Sequence, residues 1–196
     1  MTKMTTYLLT GDIGGTNSRM SLYETESSCY DDKPIMIKHF RNFEHLPEST
    51  HKDPAAFQKN IVIPFLKYCW EKSPDKAKLV PLEECEILAC LATAGLVLKN
   101  GVQLTNLGNL LIDGRAIEND KNNKYLKNVI VCRIINDFVA QGYGCLTLNQ
   151  SEVRHLHGPK VDVESLTTGP KVCVGAGTGL GECYLTQETE SSKYAC

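Results

Sequence analysis

Most features that would place a chain in a broad class at once are missing here. No apolar run reaches the roughly 18 residues that a membrane helix needs. The opening Met1-Thr2-Lys3-Met4-Thr5-Thr6 lacks the apolar stretch of a signal peptide. The closing Lys193-Tyr194-Ala195-Cys196 matches no retention or peroxisomal address. Basic excess is absent: 21 Lys and Arg face 23 Asp and Glu, a formal charge of −2. That gives no electrostatic case for nucleic acid or for an anionic membrane. No G-x-x-x-x-G-K-[ST] loop occurs, and the protein-kinase signatures are missing, so neither P-loop nor protein-kinase chemistry is expected. The nine cysteines include no C-x-x-C pair, which argues against a zinc or thioredoxin motif. Several lie in apolar strand patterns, where Cys behaves as a small hydrophobe, so reduced thiols in a cytoplasmic protein are expected. His155 and His157 stand two apart in a polar loop, and no metal site is expected from them.

What is present is an ordinary globular composition, 42% hydrophobic and 22% charged over 196 residues, enough for one domain or two small ones. Tyr7-Leu8-Leu9 reads as a buried strand and Ser18 to Tyr23 alternates as a second; Ile35 to Phe40 makes a third. Asp53-Pro54 is a helix start, after which Phe57, Ile61, Phe65 and Tyr68 recur at helical spacing. Pro64 is expected to kink that helix or begin another. Tyr68, Cys69 and Trp70 read as core. Glu86 to Ala94 is a buried strand, Val102 to Thr105 another, and Ile112 to Arg115 a helix entry. Val129 to Ile135 is the strongest strand and runs into Asn136-Asp137 and a helix. Lys171 to Gly175 and Cys183 to Thr186 are further strands, and the polar tail from Gln187 is expected to fray. Strands, helix, strand, helix is an α/β pattern opening on a meander, unlike a doubly wound dinucleotide fold.

Three segments carry chemistry. Gly11-Asp12-Ile13-Gly14-Gly15-Thr16-Asn17 sits between two strands. Glycines bring backbone N–H groups close to a ligand, and successive N–H groups form an anion-binding concavity. Thr16 adds a hydroxyl donor. Asp12 can stand near a phosphate only across a cation, and Mg²⁺ with its water shell is the natural mediator. A plain tight hairpin explains the glycines but not the flanking Asp and Thr. Gly175-Ala176-Gly177-Thr178-Gly179-Leu180-Gly181 is a second such unit. Its spacing fails the G-x-G-x-x-G fingerprint, because positions 180 and 182 are Leu180 and Glu182. A simple hairpin is again the other reading. Asn136-Asp137 leaves a strand at its carboxyl end, where function gathers in open α/β sheets. An Asp there suits a general base, and Asn suits a diol. A helix N-cap is the alternative.

In order and spacing these segments resemble the bacterial-type glucokinases. Leu9 to Asn17 looks like their first phosphate motif, Ile135 to Gly144 like their sugar-binding and catalytic segment, and Gly175 to Glu182 like their second phosphate motif. The resemblance implies an actin-like ATPase (ribonuclease H-like) fold and transfer of the ATP γ-phosphoryl group to the 6-hydroxyl of glucose. It makes Asp137 the general base, with Asn136 and the pair Thr105-Asn106 on the sugar. It assigns Gly11, Asp12, Ile13, Gly14, Gly15, Thr16 and Asn17, with Gly177, Thr178 and Gly179, to the ATP phosphates, and Asp12 to Mg²⁺ through water. Residues 1–147 then form the small domain and 148–196 the start of the large one. Glucose and ATP are the expected partners, not nucleic acid or a membrane, and a homodimer is left open. Two departures stand out. Leu96 occupies a position where the family commonly carries proline. The family's later Glu-Gly-Gly-His-like segment, adenosine site and C-terminal helix have no counterpart. The competing expectation is therefore a truncated, non-catalytic sugar-binding or regulatory remnant, or an incomplete gene product.

Overall fold

The structure is a computed structural model that describes residues 4–25, 33–158, 162, 169–176, 180–187 and 194–195. It divides into two compact units, Met1–Asp137 and Phe138–Cys196, where the sequence reading puts the boundary at 147/148.

Period-two burial builds the main sheet of the first unit. β1 (Thr5–Ile13) buries Tyr7, Leu9, Gly11 and Ile13, and β4 (Cys85–Thr93) buries every second residue from Cys85 to Thr93. Such alternation is that of a strand with one face on a core. β2 (Asn17–Glu24) pairs antiparallel with β1, and β3 (Met36–Arg41) antiparallel with β2. β4 and β8 (Val129–Asn136) add on the other side of β1 in parallel, giving the order β3-β2-β1-β4-β8. The opening meander and the strands at 86–94 and 129–135 match the sequence reading, which gave the later strands no orientation.

The core on this sheet is completed by one helical stretch. Phe57, Ile61, Val62, Phe65, Leu66 and Cys69 are fully buried within the same cluster as Tyr7, Leu9, Ile87 and Leu91. Truncating one such Phe to Ala costs about 3–5 kcal/mol. Asp53 caps the entry, its carboxylate accepting from Ala55 N–H at 2.9 Å. The helix does not stop or restart at Pro64. Short α2 (Ile63–Lys67) is flanked by π-helical turns, Gln58–Val62 and Tyr68–Lys72. Val62 and Ile63 keep right-handed helical backbone, with φ of −66° and −61°. Pro64 has no N–H for the residue four back, and the wider turns on either side accommodate its ring. Trp70 packs edge-on against Tyr7 at 5.8 Å and donates to Val80 O at 3.0 Å.

A second, antiparallel sheet of β5 (Val97–Leu98), β6 (Gly101–Leu104) and β7 (Leu110–Asp113) precedes α3 (Gly114–Asn119). The helix entry at 112–115 is where the sequence reading puts it: Asp113 accepts from Arg115 N–H and Ala116 N–H. β7 escapes that reading. The turn between β5 and β6 holds Lys99 and Asn100 at φ 50° and 63°. Asn100 then acts as a rung on the edge of β8. Its Nδ2 donates to Cys132 O and its Oδ1 accepts from Ile134 N–H, both at 2.8 Å. This fastens the hairpin beside the strand that ends at Asn136.

The second unit contains most of α4 (Asp137–Cys145) and a sheet of β9 (Lys171–Ala176), β10 (Leu180–Gln187) and β11 (Tyr194–Ala195). Tyr194 and Ala195 do not fray: they pair with Gln187 and Thr186. The rest of the tail called frayed, 188–193 and 196, lies outside the described residues.

Candidate functional site

The parallel register gathers three strand ends. Ile13 pairs with Thr93, and Thr93 with Asn136, so β1, β4 and β8 finish level. The turn after Ile13, the loop after Thr93 and the Asn136-Asp137 step therefore leave from one edge of one sheet, at its carboxyl ends. That is where ligands bind in open α/β sheets.

At this edge the first glycine motif splits into two kinds of residue. Gly11 and Ile13 are buried within β1. A Cβ on Gly11 would meet Leu91 Cδ2 at 2.7 Å and Ile13 Cδ1 at 2.9 Å, so its glycine serves packing. Asp12 is exposed at the end of the strand, opposite Arg19 of β2. The turn proper is Gly14-Gly15-Thr16, closed by Gly14 N–H donating to Asn17 O at 2.9 Å. Gly15 lies in close approach to a neighbour: a Cβ there would lie 2.8 Å from Asn106 Nδ2, the end of a movable side chain.

That contact brings Thr105-Asn106 to the turn. Both are exposed, in a 3₁₀ turn after β6 that ends on Gly108 with φ 59° and Asn109 with φ 63°. Glycine and asparagine tolerate this left-handed backbone. His51 supports it from below, its ring against Gly108 and its Nε2 2.8 Å from Leu46 O. Gly15, Thr16, Phe43, His51, Asn106 and Gly108 line a cleft of about 440 Å³. Phe43 stands on its rim, 68% exposed.

Asn136 ends β8 half-buried, and its Nδ2 donates to Gly95 O at 3.1 Å. Gly95, at φ 122°, turns the chain after Thr93-Ala94. Asp137 follows as the first residue of α4. The fully buried Thr93 hydroxyl has no hydrogen-bond partner among the described residues.

In the second unit β9 and β10 pair up to Ala176 and Leu180. Gly177, Thr178 and Gly179, which join them, lie outside the described residues. The outer glycines of this motif do something the sequence reading did not anticipate. Any Cβ on Gly175 would meet the Phe138 ring at 2.8 Å, and one on Gly181 would overlap the same ring. The two glycines form the seat of the side chain that follows Asp137.

Sequence reasoning also missed Asn42, Ser18 and Asn100. The first two hold the 14–17 turn from beneath, and the third docks the Asn106 hairpin. None stands in a recognisable motif; for Asn42 and Ser18 the signal is a polar residue buried at a strand end, visible only once burial is known, and Asn100 is half-buried in a turn. Among the described residues no group of His, Cys, Asp and Glu has the makings of a metal centre. None of their helices is long and apolar enough to cross a membrane.

Comparison with known proteins gives a consistent result. The glucokinase family model matches residues 9–195. A glucokinase of Synechocystis sp. is 32% identical over 181 residues, 90% of this chain and 43% of that protein. A glucokinase of Helicobacter pylori is 28% identical over 193 residues, 98% of this chain and 47% of that protein. The chain thus spans about half the length of the curated relatives it matches. Among solved structures, a glucokinase from an Antarctic psychrotroph has a TM-score of 0.60 at 23% identity, covering 96% of this chain and 48% of that one. A Balamuthia mandrillaris glucokinase in complex with glucose has a TM-score of 0.60 at 22% identity, covering 97% and 46%. At these identities the structural likeness establishes the fold, the α/β actin-like ATPase fold expected from the sequence.

Proposed function

This chain belongs to the glucokinase family, and from that premise we propose that it carries the phosphate turn, sugar-binding residues and general base of an ATP-dependent glucokinase. The reaction is transfer of the ATP γ-phosphoryl group to the 6-hydroxyl of glucose, in the cytoplasm. The observation that supports this most is the register Ile13–Thr93–Asn136, which brings the glycine turn and the Asn-Asp step to one sheet edge.

The roles follow from position. Asp137 accepts the proton of the 6-hydroxyl as its oxygen attacks phosphorus; a positioned base contributes about 10²–10⁴-fold. Asn136, its amide held by Gly95 O, binds sugar hydroxyls as donor and acceptor. Thr105 and Asn106 contact the sugar from the neighbouring hairpin. Gly14, Gly15, Thr16 and Asn17 cradle phosphate, and Gly177, Thr178 and Gly179 take a phosphate-binding role as well. Gly11 and Ile13 set the strand end that aims the turn. The residues fit an anion: the turn carries no Cβ at Gly14 or Gly15, and a Cβ on Gly15 would press on the Asn106 amide. Mg²⁺ on the ATP phosphates supplies charge neutralisation, and Asp12 would hold it through its water shell.

A coupled assay for glucose-dependent ADP formation tests this. Asp137→Ala is expected to lower kcat by at least about 10²-fold. A folded wild-type chain with no activity above that variant sinks the enzymatic reading. The second reading is a non-catalytic sugar-binding or regulatory protein. Calorimetric glucose binding without turnover would support it.

A further inference from the structure

We infer that Asn42 is a positioning residue that sets the anion-binding geometry of the 14–17 turn. This rests on the phosphate-binding reading of that turn and adds the group that shapes it. Asn42 opens α1 (Asn42–His45) and is fully buried. Its Nδ2 donates to Gly14 O at 2.8 Å. Its backbone N–H donates to Thr16 O at 2.9 Å. Its Oδ1 accepts from the buried Ser18 hydroxyl at 2.8 Å, which fixes the amide so that Nδ2 faces Gly14.

The consequence lies in peptide geometry. In a trans peptide the C=O and the N–H point in opposite directions. Asn42 draws in the carbonyls of residues 14 and 16. The N–H groups on the other side of those same peptides, Gly15 N–H and Asn17 N–H, must then face away from Asn42. In a plain tight hairpin closed by Gly14 N–H and Asn17 O, Gly14 O would accept Asn17 N–H in return. Here Gly14 O is held by the Asn42 amide. Alternate amides of the turn are thereby aimed outward, which is the arrangement that makes a backbone concavity bind an anion. A buried asparagine with both ends of its amide satisfied is a rigid support, because breaking either bond leaves a buried polar group unpaired.

The test uses the full chain with Asn42→Ala and Ser18→Ala. One readout is amide hydrogen exchange at Gly14, with Leu91 and Ile134 as internal references. The other is calorimetric binding of Mg·ADP and, separately, of glucose. Releasing the Gly14 and Thr16 carbonyls loosens the turn that Gly14 N–H closes on Asn17 O, and is expected to speed Gly14 exchange about tenfold in Asn42→Ala. Ser18→Ala keeps the Asn42 amide but frees it to rotate, and should give about a threefold increase. Mg·ADP affinity should fall about tenfold in Asn42→Ala while glucose affinity holds. Gly14 exchange unchanged in both variants would overturn the inference, as would equal loss of both ligands. Should Asn42→Ala not fold, Ser18→Ala decides alone by the same readouts. A wild-type chain that binds no Mg·ADP defeats the phosphate reading, while Gly14 exchange still decides whether Asn42 shapes the turn.

Discussion

At the scale of single residues, glycines that look alike in a motif have unlike duties. Gly11 is enclosed by Leu91, Ile13 and Met20, whereas Gly15 faces only the Asn106 amide. Gly11→Ala therefore overpacks a core and should cost about 1–3 kcal/mol of stability. Gly15→Ala meets the end of a movable side chain. It should leave the melting midpoint within a few degrees while weakening sugar or nucleotide binding about tenfold, because Asn106 must move. Paired melting and binding measurements check this, and a large stability loss in Gly15→Ala would contradict it. The motif was legible in the sequence; the division within it was not, because the deciding contacts come from Leu91 and Asn106, far along the chain. The cysteines make a similar point. Burial pushes the Cys69 and Cys132 thiols from 9.0 up to about 12. Folding thus favours the protonated thiol: its stabilising contribution is complete below pH 9 and drains away as pH rises from 9 toward 12, where only the unfolded chain has ionised. Alkylation with iodoacetamide at pH 8 should leave Cys69 and Cys132 unmodified until denaturant is added. Rapid labelling of either in the folded chain would refute their burial.

At the scale of elements, apolar runs and alternation were the readable part. β1, β4 and β8 announce themselves by apolar runs and β2 by alternating polar and apolar residues, and the helix entries by Asp53 and Asp113. β7 was hidden because its four residues end in the cap of α3, so the helix signal dominates. The β5–β6 turn was hidden because Lys99-Asn100 takes left-handed backbone without a glycine. The π-helical turns that accommodate the Pro64 ring were hidden because helical spacing alone does not report a change of turn width. In the second unit α4 and the β9–β10 hairpin are one packing element: Phe138 rests on Gly175 and Gly181, and Gly142 on Cys183. Gly181→Ala would place a methyl in the Phe138 ring. We expect amide protection across residues 171–176 and 180–187 to fall by about tenfold or more, since overpacking costs 1–3 kcal/mol. Protection in β1 and β4 should be unchanged. Equal loss in both units would show that they unfold together.

At the scale of the whole molecule, the two units differ in how much apolar surface each removes from water. Of the buried apolar side chains among the described residues, only Cys183 and Leu185 belong to the second unit. β9 alternates between half-buried and exposed, and Val172, Val174, Leu180 and Tyr184 are 55% or more exposed. A sheet with so little enclosed surface opens locally at small cost, because opening free energy tracks buried apolar contacts. The first unit encloses thirty such side chains about its five-stranded sheet. The sequence reading put the boundary at 147/148, just before the polar stretch from Gln150, but composition does not reveal that the helix before it packs with the strands after it. Native-state hydrogen exchange should therefore be graded. Amides of β9 and β10 should exchange at least about 10²-fold faster than those of Leu9, Leu91 and Ile134, and denaturant unfolding should show two transitions, not one. Uniform protection with a single coincident transition would mean that the second unit draws its stability from the first, and the asymmetry in burial would then carry no energetic consequence.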